Sequence, residues 1–111
     1  MDVNDLFRER VSMTLDEITQ EMKSKVGDSA GLNKVIKFDF GDDGVVRIDD
    51  TQTPAVVDNS DGDADTTITI SKDDFEEISS GKQNAQMAFM MGKLQVAGDM
   101  GVAMQLGQIF G

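Results

Sequence analysis

Apolar residues near the start of the chain recur every three or four positions, which is the spacing of one face of an α-helix. Charged residues occupy the opposite face of the same stretch. Gly27 follows the last of these apolar positions and is typical of a helix end. The pattern predicts one amphipathic helix over residues 2–26, with an apolar face formed by Val3, Phe7, Val11, Leu15, Ile18, Met22 and Val26.

From Val35 the apolar period changes to two, which is typical of β-strands with one buried face. Strands are predicted over residues 35–40, 45–50, 55–58 and 66–71. The connections at 41–44 and 59–65 are short, polar and rich in glycine or aspartate, so we interpret them as solvated hairpin turns. The sheet is therefore expected to be mostly antiparallel.

The last part of the chain returns to helical patterns around one further strand. Ser71 precedes a predicted helix with Asp74 three residues on, a spacing typical of an N-cap. Asp99 precedes the final apolar segment in the same way. Helices are predicted over residues 72–80, 84–91 and 100–110, and a fifth strand over 93–97. This order of elements predicts an α+β fold in which helices pack over one face of a five-stranded sheet.

Methionine is concentrated between Gly81 and Phe110, which contains five of the eight methionines in the chain. Its side chain is unbranched and polarisable, so it fills irregular space and adapts to partners of variable shape. One interpretation is that these methionines are ordinary core residues. The other is that they line a deformable apolar cavity. Composition leaves both interpretations open.

The charge of the chain restricts its partners. It has 21 acidic and 10 basic residues and a net charge of -11. Such a chain is repelled by phosphate backbones, so we expect no nucleic-acid binding and at most transient contact with membranes. No apolar run is long enough for a membrane span and the first residues lack the pattern of a secretory signal. A cytoplasmic protein with a single domain over residues 1–111 is therefore expected.

The side chains available for chemistry are few. Histidine and cysteine are absent, which removes thiol catalysis, Ser-His arrangements and the commonest zinc ligands. The acidic segment 58–65 lacks the ligand spacing of an EF-hand. Adjacent carboxylates at 42–43, 49–50, 73–74 and 76–77 fall in predicted turns, strand ends or helix starts, so we interpret them as surface residues. We predict no enzymatic activity, no cofactor and no metal site.

The segment from Met87 to Met104 reads MAFMMGKLQVAGDMGVAM. Together with Thr67–Phe75, it closely resembles the signature of the sterol-carrier-protein type-two (SCP2) family, in which AFM and GKL motifs precede a glycine, an acidic or amide residue and a methionine. The order of elements agrees over essentially the whole chain. The chain ends in Ile109-Phe110-Gly111, unlike the small-basic-leucine tripeptide of the family's peroxisomal members, so peroxisomal import is not expected.

The resemblance implies a five-stranded, mostly antiparallel sheet with helices over one face, enclosing an apolar tunnel. It also implies a non-catalytic protein that binds and transfers a fatty acid, an acyl-CoA or a sterol-like lipid. A lipid-metabolising enzyme is a candidate protein partner. The alternative is an accessory protein-interaction module without a lipid ligand, in which the same methionines pack a closed core or contact another protein.

We place the lipid between the sheet and the helices. Binding there is expected to depend mainly on the apolar area removed from water, with no single dominant residue. Gly98 and Gly101 are expected to let the last helix approach the fifth strand closely. The predicted lipid-binding residues are Phe75, Ile78, Met87, Phe89, Met90, Met91, Leu94, Val96, Met100, Met104 and Phe110.

Overall fold

The computed structural model of the protein describes the backbone of residues 13–110 and the side chains of residues 13–107. The helices are α1 (Leu15–Val26), α2 (Lys72–Ser79), α3 (Ala85–Met90) and α4 (Met100–Phe110), with a 3₁₀ turn at Gly41–Asp43. The strands are β1 (Val35–Asp39), β2 (Val45–Asp49), β3 (Val56–Asp58), β4 (Thr66–Ile70) and β5 (Leu94–Gly98). The α+β class and the order of these elements are confirmed.

The five strands form one sheet in the order β3-β2-β1-β4-β5. All neighbouring pairs are antiparallel except β1 and β4, which are parallel. The sheet is therefore mixed and mostly antiparallel, as expected. Its register places Phe38 of β1 between Val46 of β2 and Ile68 of β4, so these three side chains share one face.

The core lies between that face and the helices. Alternate residues of the four longer strands point toward it, and α1 packs against β2 and β3 while α4 packs against β4 and β5. Three phenylalanines form an aromatic cluster within it: the ring centroid of Phe75 lies 5.7 Å from that of Phe38 and 5.5 Å from that of Phe40. The core is most completely buried around Ile18, Met22, Ile36, Val46 and Ile48.

The first described helix begins later than its apolar pattern suggests. Thr14 has an extended backbone and caps the helix: its hydroxyl accepts from the Glu17 amide at 3.1 Å, and its own amide donates to the Glu17 carboxylate at 2.9 Å. A reciprocal cap of this kind satisfies two backbone amides and defines a helix start. The prediction of one continuous helix over residues 2–26 is therefore wrong at this point. Its earlier part lies outside the described residues.

The segment at 59–65 is not the hairpin turn that we expected. Because β3 and β4 are not neighbours in the sheet, this segment has to cross from one strand to the other. It does so over the polar face, where Lys37 Nζ donates to Asp61 at 2.8 Å and Arg47 Nε donates to the Asp63 carbonyl at 3.0 Å. The polar residues of this segment thus form a crossover connection that accepts hydrogen bonds from basic side chains on the sheet.

Asp50 corrects the expectation that the adjacent carboxylates all lie at the surface, because it is only 5% exposed. Its carboxylate accepts hydrogen bonds from the backbone amides of Ala30, Leu32 and Asn33 at 2.9, 2.8 and 3.2 Å. Burial raises the pKa of Asp50, but the three amides and the Ser29 hydroxyl together outweigh burial and leave that pKa below its ordinary value. Asp50 therefore anchors the loop between α1 and β1.

Candidate functional site

A cavity of about 860 Å³ lies between the covered face of the sheet and the C-terminal helices. Its lining comes from β1, β4 and β5 on the sheet side and from α2, α3, α4 and the loop before α3 on the other. Most of the lining side chains are apolar. Among the described residues that line it, Lys82 is the only charged one.

The sheet side of the cavity follows from strand register. β4 and β5 pair with Ile68 opposite Val96 and Ile70 opposite Leu94. Residues directly opposite each other in a sheet point to the same face, so these four side chains form one apolar surface. All four line the cavity.

Helix α2 contributes Phe75 and Ile78, which are three residues apart and therefore on one helix face. Its start is determined by Ser71, whose hydroxyl accepts from the Asp74 amide at 3.0 Å. The predicted N-cap is thus confirmed. Because the cap defines where the helix begins, it also determines which face carries Phe75 toward the sheet.

The loop before α3 is held by side-chain amides. Gln83 Nε2 donates to the Asp74 carboxylate at 3.2 Å and to the Glu77 carboxylate at 2.9 Å, which ties the loop to α2. Asn84 then caps α3, accepting from the amides of Gln86 and Met87 at 2.8 and 3.2 Å. These contacts position α3 over the edge strand β5, where Ala88 is fully buried.

Gly98 and Gly101 differ in their structural role. At Gly98 (φ +105°) an added Cβ would lie 2.2 Å from the Asp65 carbonyl oxygen, so glycine is required where β5 pairs with β4. At Gly101 the only heavy atom that an added Cβ would meet is Asp99 Oδ1, at 3.2 Å. The expectation that both glycines allow close approach of the last helix is therefore wrong: the close approach is between strands.

Asp99 and Thr66 join the last helix to the sheet. The Asp99 carboxylate accepts from the amides of Gly101 and Val102 at 2.9 and 3.3 Å, as an N-cap does. Its backbone amide donates to the Thr66 hydroxyl at 3.1 Å, and that hydroxyl donates to the Asp99 carbonyl at the same distance. The helix that carries Met100 and Met104 therefore has a defined start beside β4.

Seven of the predicted lipid-binding residues line the cavity: Phe75, Ile78, Phe89, Leu94, Val96, Met100 and Met104. Met87, Met90 and Met91 do not, and their side chains are 54%, 74% and 63% exposed. The reason is that α3 turns Ala88 inward and leaves these longer side chains outside. The side chain of Phe110 lies outside the described residues.

Sequence reasoning missed several lining residues, notably Phe38, Ile68, Ile70 and Leu106. The alternation of β1 and β4 had already placed the first three on one apolar face, so that signal was available. Leu106 follows Val102 at helical spacing and could have been found in the same way. The polar loop residues Lys82, Gln83 and Asn84 carried no comparable signal.

The methionines of the C-terminal part are not core residues. Met87, Met90, Met91, Met100 and Met104 are 44–74% exposed, so the core interpretation is wrong for all five. Met100 and Met104 also line the cavity. A side chain that both lines a cavity and contacts solvent marks the place where that cavity opens.

The described groups with shifted pKa values lie away from the cavity. The groups with shifted pKa values are Glu17, Asp49, Asp50 and Asp58, and all four are lowered. They cap or anchor turns elsewhere, and none lines the cavity. Residues 13–107 contain no cluster of three or more acidic side chains arranged to hold a metal ion. Nor does the described part of the chain contain a helix that could cross a membrane.

The fold and the cavity define a small α+β protein in which a mixed five-stranded sheet and C-terminal helices surround an apolar space. The family model described as the SCP-2 sterol transfer family matches residues 15–111. The chain belongs to this family. Membership supports lipid binding or transfer in general terms.

Comparisons with individual known proteins agree with this family assignment. The chain is 50% identical over 52 residues to human sterol carrier protein 2, covering 47% of this chain and 10% of that protein. It is 54% identical over 43 residues to peroxisomal multifunctional enzyme A of Dictyostelium discoideum, covering 39% of this chain and 10% of that protein. The match thus spans about a tenth of the length of each of these two relatives. The solved apo structure of sterol carrier protein 2 from Yarrowia lipolytica matches with a TM-score of 0.67 and 27% identity, covering 84% of this chain and 86% of that one.

Proposed function

We propose that this protein is a non-catalytic lipid carrier that holds a fatty acid, an acyl-CoA or a sterol-like lipid in the cavity. The observation that carries the proposal is the cavity itself, with about 860 Å³ and a mostly apolar lining. Ligand sites for small molecules usually have about 300–1,000 Å³ and are lined mainly by apolar side chains. The family to which the chain belongs supports the same function.

The lining predicts how affinity depends on the ligand. Because apolar surface dominates, each buried methylene contributes about 0.8 kcal/mol, which is about fourfold in affinity. Affinity should therefore rise steadily along a series of fatty acids until the cavity is filled. A ligand recognised mainly through its head group would show little dependence on chain length.

Lys82 gives the cavity a preference for ligands with an anionic head group. It lines the cavity close to solvent and has no ion pair with any other described residue. An ammonium group at this position favours a carboxylate or a phosphate over a neutral head group. We therefore rank fatty acids and acyl-CoA above sterol-like ligands.

The absence of catalysis is part of the proposal. The chain has no histidine and no cysteine, and none of the carboxylates with a shifted pKa lines the cavity. General acid–base catalysis needs a titratable group within hydrogen-bond reach of the reacting atoms. We expect no turnover of acyl-CoA or lipid esters by the purified chain.

The test is displacement of a fluorescent fatty acid from a matched pair of variants. Val96→Trp puts a large side chain into the cavity, whereas Gln95→Trp puts it on the adjacent position of the same strand, which is exposed and does not line the cavity. We expect Val96→Trp to lose at least about tenfold in affinity and Gln95→Trp to bind like the parent. Thermal melts establish that both variants are folded. Unchanged binding by a folded Val96→Trp variant would contradict the proposal.

The second candidate function is a protein-interaction module, and the exposed methionines favour it. Large exposed apolar areas often mark contact with another protein. Two of the relatives are enzymes by name: peroxisomal multifunctional enzyme A and hydroxysteroid dehydrogenase-like protein 2 of Xenopus tropicalis, which is 44% identical over 48 residues, covering 43% of this chain and 12% of that protein. An enzyme of lipid metabolism is therefore the partner that we propose. Failure of the parent protein to bind any lipid probe would favour this function over the carrier.

A further inference from the structure

One side of the molecule exposes an unusual amount of apolar surface. The side chains concerned are 41–74% exposed and belong to α3, the residue after it and α4. We call them the methionine surface, which consists of Met87, Phe89, Met90, Met91, Met100 and Met104. Elsewhere in the described residues, the only large apolar side chain with similar exposure is Val56, at 38%.

The methionine surface adjoins the opening of the cavity. Phe89, Met100 and Met104 belong both to this surface and to the cavity lining. Met87, Met90 and Met91 extend the surface along α3 without lining the cavity. A ligand that enters or leaves between α3 and α4 would therefore pass beside these exposed side chains.

The segment that carries this surface differs in charge from the rest of the chain. From Gly81 onward there is one acidic residue, Asp99, and there are two lysines, Lys82 and Lys93; the other 20 acidic residues all precede Gly81. The Asp99 carboxylate is occupied by the cap of α4. The segment that carries the methionine surface is thus much less acidic than the rest of the chain, and the α2 carboxylates of Asp74 and Glu77, which lie beside the loop before α3, accept hydrogen bonds from Gln83.

We propose that the methionine surface docks on a zwitterionic phospholipid bilayer, where the cavity loads or releases its ligand; this rests on the proposed carrier function. Exposed apolar side chains bind at the boundary between head groups and acyl chains, and flexible methionines adapt to it. The two lysines suit the lipid phosphates. The net charge of -11 disfavours strongly anionic membranes, so the surface is suited to neutral ones.

The experiment is flotation of the full chain with phosphatidylcholine vesicles, using Met90→Glu/Met91→Glu and, as a matched control, Val56→Glu. Both variants add carboxylates at exposed apolar positions, but only the first changes the methionine surface. We expect the double variant to lose at least about tenfold in vesicle partitioning and the control to match the parent. Adding phosphatidylserine to the vesicles should lower binding by the parent.

A separate measurement distinguishes failure of docking from failure of the carrier function. Met90 and Met91 do not line the cavity, so the double variant should still bind a fluorescent fatty acid in the absence of vesicles. Equal flotation of parent and double variant, or no flotation of a parent that binds the probe, would overturn the docking proposal alone. A parent dimer in sedimentation velocity that the double variant dissociates would also overturn it and assign the surface to a second copy of the chain.

Discussion

The sheet centre and the C-terminal part of this protein use apolar residues in opposite ways. Ile36 of β1 and Val46 and Ile48 of β2 pack together and are fully shielded from water. Around Phe89, Met100 and Met104, side chains of similar size leave a cavity and remain partly in solvent. The first region stabilises the fold, and the second leaves apolar surface available for a ligand. The difference indicates that stability and binding can be changed separately.

The largest expected effect is at the sheet centre. Ile48→Ala removes a fully buried side chain and leaves a cavity in the core. We expect the free energy of unfolding to fall by about 2–5 kcal/mol. The matched change in the C-terminal region is Met90→Ala. It should alter the free energy of unfolding by no more than about 0.5 kcal/mol, because the Met90 side chain is exposed. Denaturant melts of both variants test the comparison, and similar losses would contradict it.

The next effect concerns the strand that borders the cavity. Gly98→Ala forces a side chain against the Asp65 carbonyl at a positive φ, so we expect a loss of about 2–4 kcal/mol from strain and overpacking. Gly107→Ala is the control, since an added Cβ there meets nothing within 4 Å. In a helix, that change should be neutral or stabilise by up to about 1 kcal/mol. Thermal melts should separate the two variants by several degrees; equal melting temperatures would show that β5 tolerates the contact.

The third prediction concerns pH and the loop anchored by Asp50. Because the pKa of Asp50 is lower in the folded protein than its ordinary value of 3.8, its contribution to stability is complete above that value. This contribution is lost as the pH falls through the folded pKa. Asp50→Asn should therefore cost about 1–3 kcal/mol at neutral pH and reduce the loss of stability below about pH 4.

The control for this prediction is Asp49→Asn. Asp49 also has a lowered pKa, from the hydroxyl of Thr51 and the amide of Gln52, but it accepts those bonds within a local turn. We expect its effect on stability to be smaller at every pH. Unfolding curves between about pH 3 and pH 7 measure both variants, and parallel curves for Asp50→Asn and the parent would contradict the role of Asp50.

The smallest expected effect is at the mouth of the cavity. Lys82→Gln should weaken binding of a fatty acid by at most about 1 kcal/mol, since the ammonium group is solvated, and should leave binding of the fatty alcohol of equal length unchanged. Competition titrations with the two ligands measure the difference. An equal loss for acid and alcohol would mean that Lys82 contributes packing and not charge.

The sequence by itself determined the elements and the family. Alternation in β1 and β4 and the N-caps at Ser71 and Asp99 are local patterns, and the structure places strands and helix starts where those patterns predict them. The cap at Thr14 was also local: Glu17 stands three residues after it, but the unbroken apolar period concealed it. Such features depend on neighbours in the chain, so they can be predicted from it.

Only the tertiary structure decided how those elements were used. In α3 nearly every side chain is apolar, so no pattern indicated that Ala88 would face inward while Met87 and Met90 remained exposed. The parallel pairing of β1 with β4 made the segment at 59–65 a crossover and not a hairpin. Asp50 became an anchor because the loop at Ala30–Asn33 folds back onto it. These outcomes depend on contacts between residues far apart in the chain, which a local pattern does not contain.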